Sequence, residues 1–338
     1  MRHPRSIYGL GRPRQLGIAL ICAMAAVCLA GMARAETGYP AKIITLIVPF
    51  AAGGPTDVVA RIVAESMSTT LGQPIIIENV VGSGGTTAVI RAKRSPADGY
   101  TIVMGHMGTH GAAVALHPQL AYDPVHDFEP IGMVAGMPVL ILARRDLGAA
   151  TLKDFVQLAQ VGGASLTMAH AGVGSVSHAT CLILNAIAGS HPRMKAFQGT
   201  GPAMNALIEG RVDYMCDQVV SAVPQIAAGV IKAYAVGTDS RSAVLPDVPT
   251  SNEAGFPAFR ASAWNALFAP KGTAKSIVAR LNAALGSALD DETVRHRLEQ
   301  LGGEIPEGNA RTPAALERLV EAEVVRWTAA VRSTVPGN

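Results

Sequence analysis

With 338 residues and no solenoid period or low-complexity tract, the chain is long for a single core and suits two lobes. Its formal net charge of +3 misleads: removing the five arginines of residues 1–35 from the 28 basic residues leaves 23 against 25 acidic. So balanced a chain lacks the electrostatic footprint of a nucleic-acid or anionic-membrane binder.

The first 35 residues read as a cleavable signal peptide. Arg2, Arg5, Arg12 and Arg14 form a basic start, Leu16 to Ala30 an apolar run, and Ala33-Arg34-Ala35 an A-x-A cleavage site. Neither Cys22 nor Cys28 has the preceding small residue of a lipoprotein site, and no later stretch is long and apolar enough to span a bilayer. The mature chain is expected to start near Glu36, outside the cytoplasm. Cys181 and Cys216 survive processing there and either pair or stay as buried thiols.

Residues 42–50, KIITLIVPF, are an almost unbroken apolar run rich in β-branched residues, which suits a strand buried on both faces. The chain turns through Ala51-Ala52-Gly53-Gly54-Pro55-Thr56-Asp57. Apolar residues at 59, 62, 63, 67 and 71 then predict a helix. Gly54 suits the N-cap, Pro55 the first helical position and Asp57 the first turn. Such a junction points backbone N–H groups beyond the strand's carboxyl end and is a ready anion site. Asp57 is expected to cap its own helix and face away from a ligand.

A second strand is predicted over 73–80, followed by Gly82-Ser83-Gly84-Gly85 and a helix from Thr86. Turn residues 95–99 lead to a strand over 100–105. Residues 106–130 look irregular, and 131–144 extended. A second lobe begins near 132, with a helix over 151–159 capped by Thr151, a strand over 165–171, a turn over 172–178 and a helix over 179–188. Residues 197–203 precede a helix reaching Glu209, and strands follow over 212–216 and 231–238. A proline-rich loop over 245–259, a strand over 262–268 and helices over 274–289, 291–301 and 313–331 complete the chain. Strands alternating with helices predict α/β sheets with parallel strands. Trp264 and Trp327 are read as packing residues.

Strand, small-residue turn and helix recur at 50–57, 82–87, 172–178 and 199–203, two in each lobe. In open α/β sheets such turns gather at the carboxyl ends of strands, where ligands bind. None of the four holds a lysine or arginine, so an anion there is gripped by N–H groups and hydroxyls.

Competing chemistries lack their signatures. The glycine cluster at 82–85 misses the third glycine of a dinucleotide fingerprint, and no phosphate-loop motif exists. Ser175 and His178 with a distant aspartate define the alternative reading, a secreted α/β hydrolase, but no G-x-S-x-G elbow is present. His106, His110, His117 and His126 lack the carboxylate of a zinc-protease motif and are read as solvated loop residues, so no metal or cofactor is assigned.

The chain resembles the Bug family of periplasmic solute-binding receptors, related to the binding component of tripartite tricarboxylate transporters. The resemblance rests on Tyr39-Pro40, on the run Val48 to Arg61 with Gly53-Gly54-Pro55-Thr56-Asp57, on Glu78 to Gly85, and on Asp98-Gly99-Tyr100-Thr101. In the second lobe Gly174-Ser175-Val176-Ser177-His178, Gly199-Thr200-Gly201-Pro202-Ala203 and Val212 to Asp217 match. On the return, Leu245-Pro246-Asp247-Val248-Pro249-Thr250, Glu253-Ala254-Gly255, Trp264 and Ala269-Pro270-Lys271-Gly272-Thr273 do.

The resemblance implies a two-lobed Venus-flytrap fold of the type II kind, with lobe 1 over 36–131 plus 240–338 and lobe 2 over 132–239. It implies a non-enzymatic protein that captures a small carboxylate in the periplasm for a membrane permease or a sensor. One ligand carboxylate is expected between the lobes, held partly through water. The expected contacts are Phe50, Ala51, Gly53, Gly54 and Thr56; Gly82, Ser83, Gly84, Gly85 and Thr86; and Thr109. Gly174, Ser175, Ser177, His178, Thr200, Gly201 and Asp217 form the opposite wall. Thr86-Thr87-Ala88 stands where the family has Asn, a hydrophobic residue and Gly, and Cys216 where it has a large apolar residue.

Overall fold

The computed structural model describes residues 38–334; the signal-peptide reading of 1–35 lies outside them. β1 (Ile44–Val48), β2 (Ile75–Asn79) and β3 (Thr101–His106) are parallel neighbours, with β1 in the middle. α1 (Pro55–Leu71) and α2 (Thr86–Lys93) make the crossovers. β1 is almost wholly buried, as its β-branched run requires of a strand covered on both faces.

β4 (Phe128–Arg144) organises the rest. Its first part, Phe128–Pro138, runs antiparallel to β9 (Ser262–Pro270), which in turn pairs with β3. From Val139 onward β4 pairs with β7 (Tyr214–Gln218) on one side and β8 (Ile231–Val236) on the other, both antiparallel. β5 (Thr167–His170) lies parallel to β7 and to the edge strand β6 (Arg193–Ala196). The strand order β2-β1-β3-β9-β4-β7-β5-β6 thus joins two half-sheets through one strand. Parallel pairing, expected throughout, holds in each half but not at the centre, where β4 and β9 return antiparallel.

Past β3, residues expected to be irregular wind into a π-helical turn, Gly108–Ala112, and the short α3 (Ala113–Leu116). α4 (Leu152–Gly162) opens with a capping box in which Thr151 Oγ1 accepts from Asp154 N–H and the Asp154 carboxylate accepts from Thr151 N–H. α5 (Val176–Ala188) and α6 (Thr200–Ile208) follow β5 and β6. β6, exposed and only four residues long, is absent from the elements predicted above. So is α7 (Val219–Ala227), which carries Pro224 inside it.

α8 (Lys275–Asp290), α9 (Glu292–Gln300) and α10 (Pro313–Thr334) complete the fold. α8 packs on α1, and α10 on β4 and the π-helical turn, so the C-terminal helices cover the first half-sheet. Glu323 of α10, 8% exposed, accepts from the indole N–H groups of Trp264 (3.2 Å) and Trp327 (3.0 Å). Both tryptophans are core residues, as expected. Cys181 of α5 and Cys216 of β7 form a disulfide across a Cα separation of 5.4 Å. No described helix is long and apolar enough to cross a membrane.

Candidate functional site

The first turn leaves its helix uncapped toward the outside. Gly54 has no side chain to cap α1 and Pro55 has no N–H, so the first-turn amides of Thr56 and Asp57 lack a side-chain acceptor. The Asp57 carboxylate turns back instead. It accepts from Gly53 N–H (2.9 Å), Asn79 Nδ2 (2.9 Å) and Arg61 Nε (2.8 Å). Burial opposes its ionisation, but Arg61, Gly53 and Asn79 outweigh that and hold the carboxyl below its usual range. Gly53 therefore spends its amide on Asp57.

The second turn meets the other half of the chain backbone to backbone. Gly84 has φ +63, and a Cβ there would sit 1.7 Å from the Val173 carbonyl oxygen. Only glycine allows this approach. Gly172 and Gly108 carry the same contact on either side: a Cβ on the first would meet Gly84 N at 2.8 Å, and one on the second Gly174 O at 2.5 Å. His117 Nε2 lies 3.1 Å from the same Val173 oxygen. Ala51 abuts Gly199, whose Cβ would lie 3.5 Å from that of Ala51.

In the third turn Ser175 caps α5, its Oγ accepting from His178 N–H at 3.2 Å and donating to Gly172 O at 2.7 Å. Ser177 Oγ accepts from Ala171 N–H at 2.9 Å. The His178 ring accepts from Gly174 N–H through Nδ1 at 3.4 Å and packs on His170; burial, then the neighbouring His170 and His117, pull its pKa down to about 4. Ser175 Oγ makes no bond to that ring, so the pair does not form a nucleophile and base. The hydrolase reading has no geometric support.

These turns enclose one buried cavity lined by Phe50, Gly54, Pro55, Thr56, His106, Ala171, Ser175, Val176, Ser177, Thr200, Asp217 and Gln218. It is narrow: about one water fits at its centre. Four helices, α1, α5, α6 and α7, begin at its wall. Each presents the positive end of its dipole, and α1, α6 and α7 have no side-chain cap on their first-turn amides, whereas Ser175 caps α5. No lysine or arginine is among the lining residues. Asp217, 1% exposed, is the one acid there; burial lifts its pKa to about 6 against the opposing pull of Ser221, the Gln218 amide and Thr200. Ser221 Oγ donates to it at 2.7 Å.

Of the residues singled out from sequence, the cavity gathers Phe50, Gly54, Thr56, Ser175, Ser177, Thr200 and Asp217. Gly84, Gly85 and Gly174 lie just behind, forming the contact between halves or, for Gly85, backing the Phe50 ring at a virtual 3.1 Å. Thr86 Oγ1 donates to Ser83 O at 3.0 Å, and Ser83 and Gly201 face solvent. Gly82 sits behind Thr87, Ala51 at the Gly199 contact, and His178 beneath its own turn. Thr109 is buried outside the lining, its Oγ1 3.0 Å from His110 Nδ1.

His106 and His110 overturn the expectation of solvated loop histidines: both are wholly buried, because the chain leaving β3 winds back under Phe50 and Phe268. His106 and Gln218 line the cavity and were missed. Both end strands, β3 and β7, and the rule that sites gather at carboxyl ends of strands applies to them equally. Among the described residues no group of three or more His, Cys, Asp or Glu is placed to hold a metal.

The sequence model described as "Tripartite tricarboxylate transporter family receptor" matches residues 59–334. The chain is 41% identical to the UPF0065 protein in the TAR-I ttuE-ttuC' intergenic region of Agrobacterium vitis, covering 90% of this chain and 87% of that one. It is similar to the structure of MatC (Rpa3494) from Rhodopseudomonas palustris with bound malate, with 50% identity, a TM-score of 0.85, and coverage of 87% and 100%. The periplasmic binding protein BugD follows with 38% identity, a TM-score of 0.84, and coverage of 88% and 98%.

Proposed function

Because the chain belongs to the family of tripartite tricarboxylate transporter receptors, we propose that its cavity captures a small di- or hydroxy-dicarboxylate for uptake. The observation that carries this reading is the convergence of four helix starts, from both halves of the chain, on one buried cavity without a cationic side chain. Main-chain amides and helix dipoles hold a carboxylate with modest strength per contact, which suits a carrier that must release its cargo. The malate in the structure with 50% identity supports the ligand class. Asp217 adds a condition: the ligand group beside it has to bring its own proton, as a hydroxyl does and a second carboxylate does not.

Seating a four-carbon acid requires the cavity walls to part and close again. The lobes we assign are 36–131 with 240–338, and 132–239; the change of β4 partner at Pro138–Val139 supports a hinge a few residues along from 132. Contact between the halves through Gly84 and Val173 belongs to the closed arrangement, and ligand favours it by touching both walls at once. The family supports a periplasmic location and a membrane permease as recipient, and our reading adds export through the N-terminal leader; a sensor is the alternative recipient.

Calorimetry of the mature chain against malate, succinate, citrate, adipate and benzoate tests the reading. Binding of at least one, with malate at or near the top, is expected. Indifference to all of them alongside tight binding of a sugar or a metal ion overturns the ligand class.

A further inference from the structure

We propose that His106 is a ligand-contacting residue of this cavity, donating its Nε2–H to an oxygen of the bound acid. The inference rests on the carboxylate reading above and adds a residue to it. The tautomer follows from the hydrogen bonds: Nδ1 accepts from Gly108 N–H at 2.8 Å and from Thr109 N–H at 3.3 Å, so the ring proton sits on Nε2. Burial keeps the ring neutral, with its pKa pulled down to about 3. Nε2 is itself buried and has no hydrogen-bond partner among the described residues. A buried donor without an acceptor is costly and uncommon, and a ligand oxygen relieves it.

The position makes that relief available. His106 lines the cavity from the end of β3, on the opposite half from Asp217 and Gln218. Phe50 stacks on its ring at 5.0 Å, and Gly108 packs so close that a Cβ there would lie 2.6 Å from Cε1, so the ring is held in place. Asn265, its partner in the β3–β9 register, does not accept from it; the Asn265 Oδ1 likewise has no partner among the described residues, while Nδ2 reaches Gln218 at 3.4 Å. His110 is the internal control. Its Nε2 is also orphaned, but its ring stacks on Phe268 at 4.1 Å and does not line the cavity.

Two substitutions separate the two nitrogens. H106N places an amide oxygen near Nδ1, for Gly108 and Thr109, and removes the Nε2 donor. H106Q reaches the Nε2 position with an amide N–H. Calorimetry with malate, succinate and adipate is expected to show H106N binding ~10- to 100-fold more weakly than wild type and H106Q recovering most of the loss, the range for one hydrogen bond to a charged group. Equal affinity of H106N and wild type overturns the inference and leaves the carboxylate reading standing. Failure of the wild-type chain to bind any acid of the five-member panel overturns both. Should H106N fail to fold, ¹⁵N spectra of the wild-type imidazole decide: malate is expected to shift Nε2 with Nδ1 unprotonated, and an unmoved Nε2 signal overturns the proposal.

Discussion

Replacing Asp217 with asparagine should change how stability depends on pH. In the fold this carboxyl is 1% exposed and its pKa rises from 3.8 to about 6, chiefly through burial. The native state therefore holds a proton there that the unfolded chain has lost between those two values. Stability from this group is complete below pH 3.8 and is lost as pH rises through 6. A rise of that size corresponds to about 3 kcal/mol withdrawn above pH 6. The buried histidines act in the opposite sense. His106 and His110 fall to about 3 and His178 to about 4, so they remove stability as pH drops below 6.5. The wild-type profile mixes both contributions, and the difference between wild type and D217N isolates the aspartate. Asparagine keeps an oxygen for Ser221 and carries no charge. Urea unfolding followed by circular dichroism between pH 4 and pH 8 should show D217N gaining up to about 3 kcal/mol on wild type at pH 8, with the gap closing toward pH 4. A gap independent of pH, or D217N the weaker protein at pH 8, refutes the argument that this charge is buried at a cost.

Two further outcomes follow from the packing. G84A puts a methyl group where the Val173 carbonyl lies, so the halves cannot meet: affinity for any acid the wild type binds should fall at least ~100-fold, and small-angle scattering should show a larger particle with ligand present. The fold itself should lose only ~1–2 kcal/mol from the left-handed backbone at that position, and unchanged affinity would discount the contact. E323A strands the indole N–H groups of both Trp264 and Trp327 and should cost ~2–4 kcal/mol in denaturant unfolding. E323Q, which keeps an acceptor, should cost clearly less; equal losses would trace the effect to packing alone.

What the sequence made legible was local. The β-branched run before Gly53-Gly54-Pro55 specified β1, its turn and α1, and Thr151 announced the start of α4. Gly54, Thr56, Ser175, Ser177 and Thr200 came to light because helix starts write their requirements into neighbouring residues. Tertiary consequences were hidden. β6 is held by pairing to β5 on an exposed edge, and its four residues, R-M-K-A, are too few for their alternation to stand out. β4 reads as one extended run, and nothing in the run reveals that it changes partners midway. His106 looked like a loop residue because burial of a polar ring depends on Phe50, which lies far from it in sequence. Gly53 had the right conformation for an anion contact, yet its amide was already committed to Asp57.

The disulfide fastens the helix that starts at Ser175 to the strand that ends at Asp217 and Gln218. Two walls of one pocket are thereby welded into a single block, which fixes the spacing between them. Such a bond forms in oxidising surroundings and is scarce where thiols are kept reduced. A polypeptide carried across a membrane before it folds would thus acquire this brace only on the far side, in the place where it first meets its cargo.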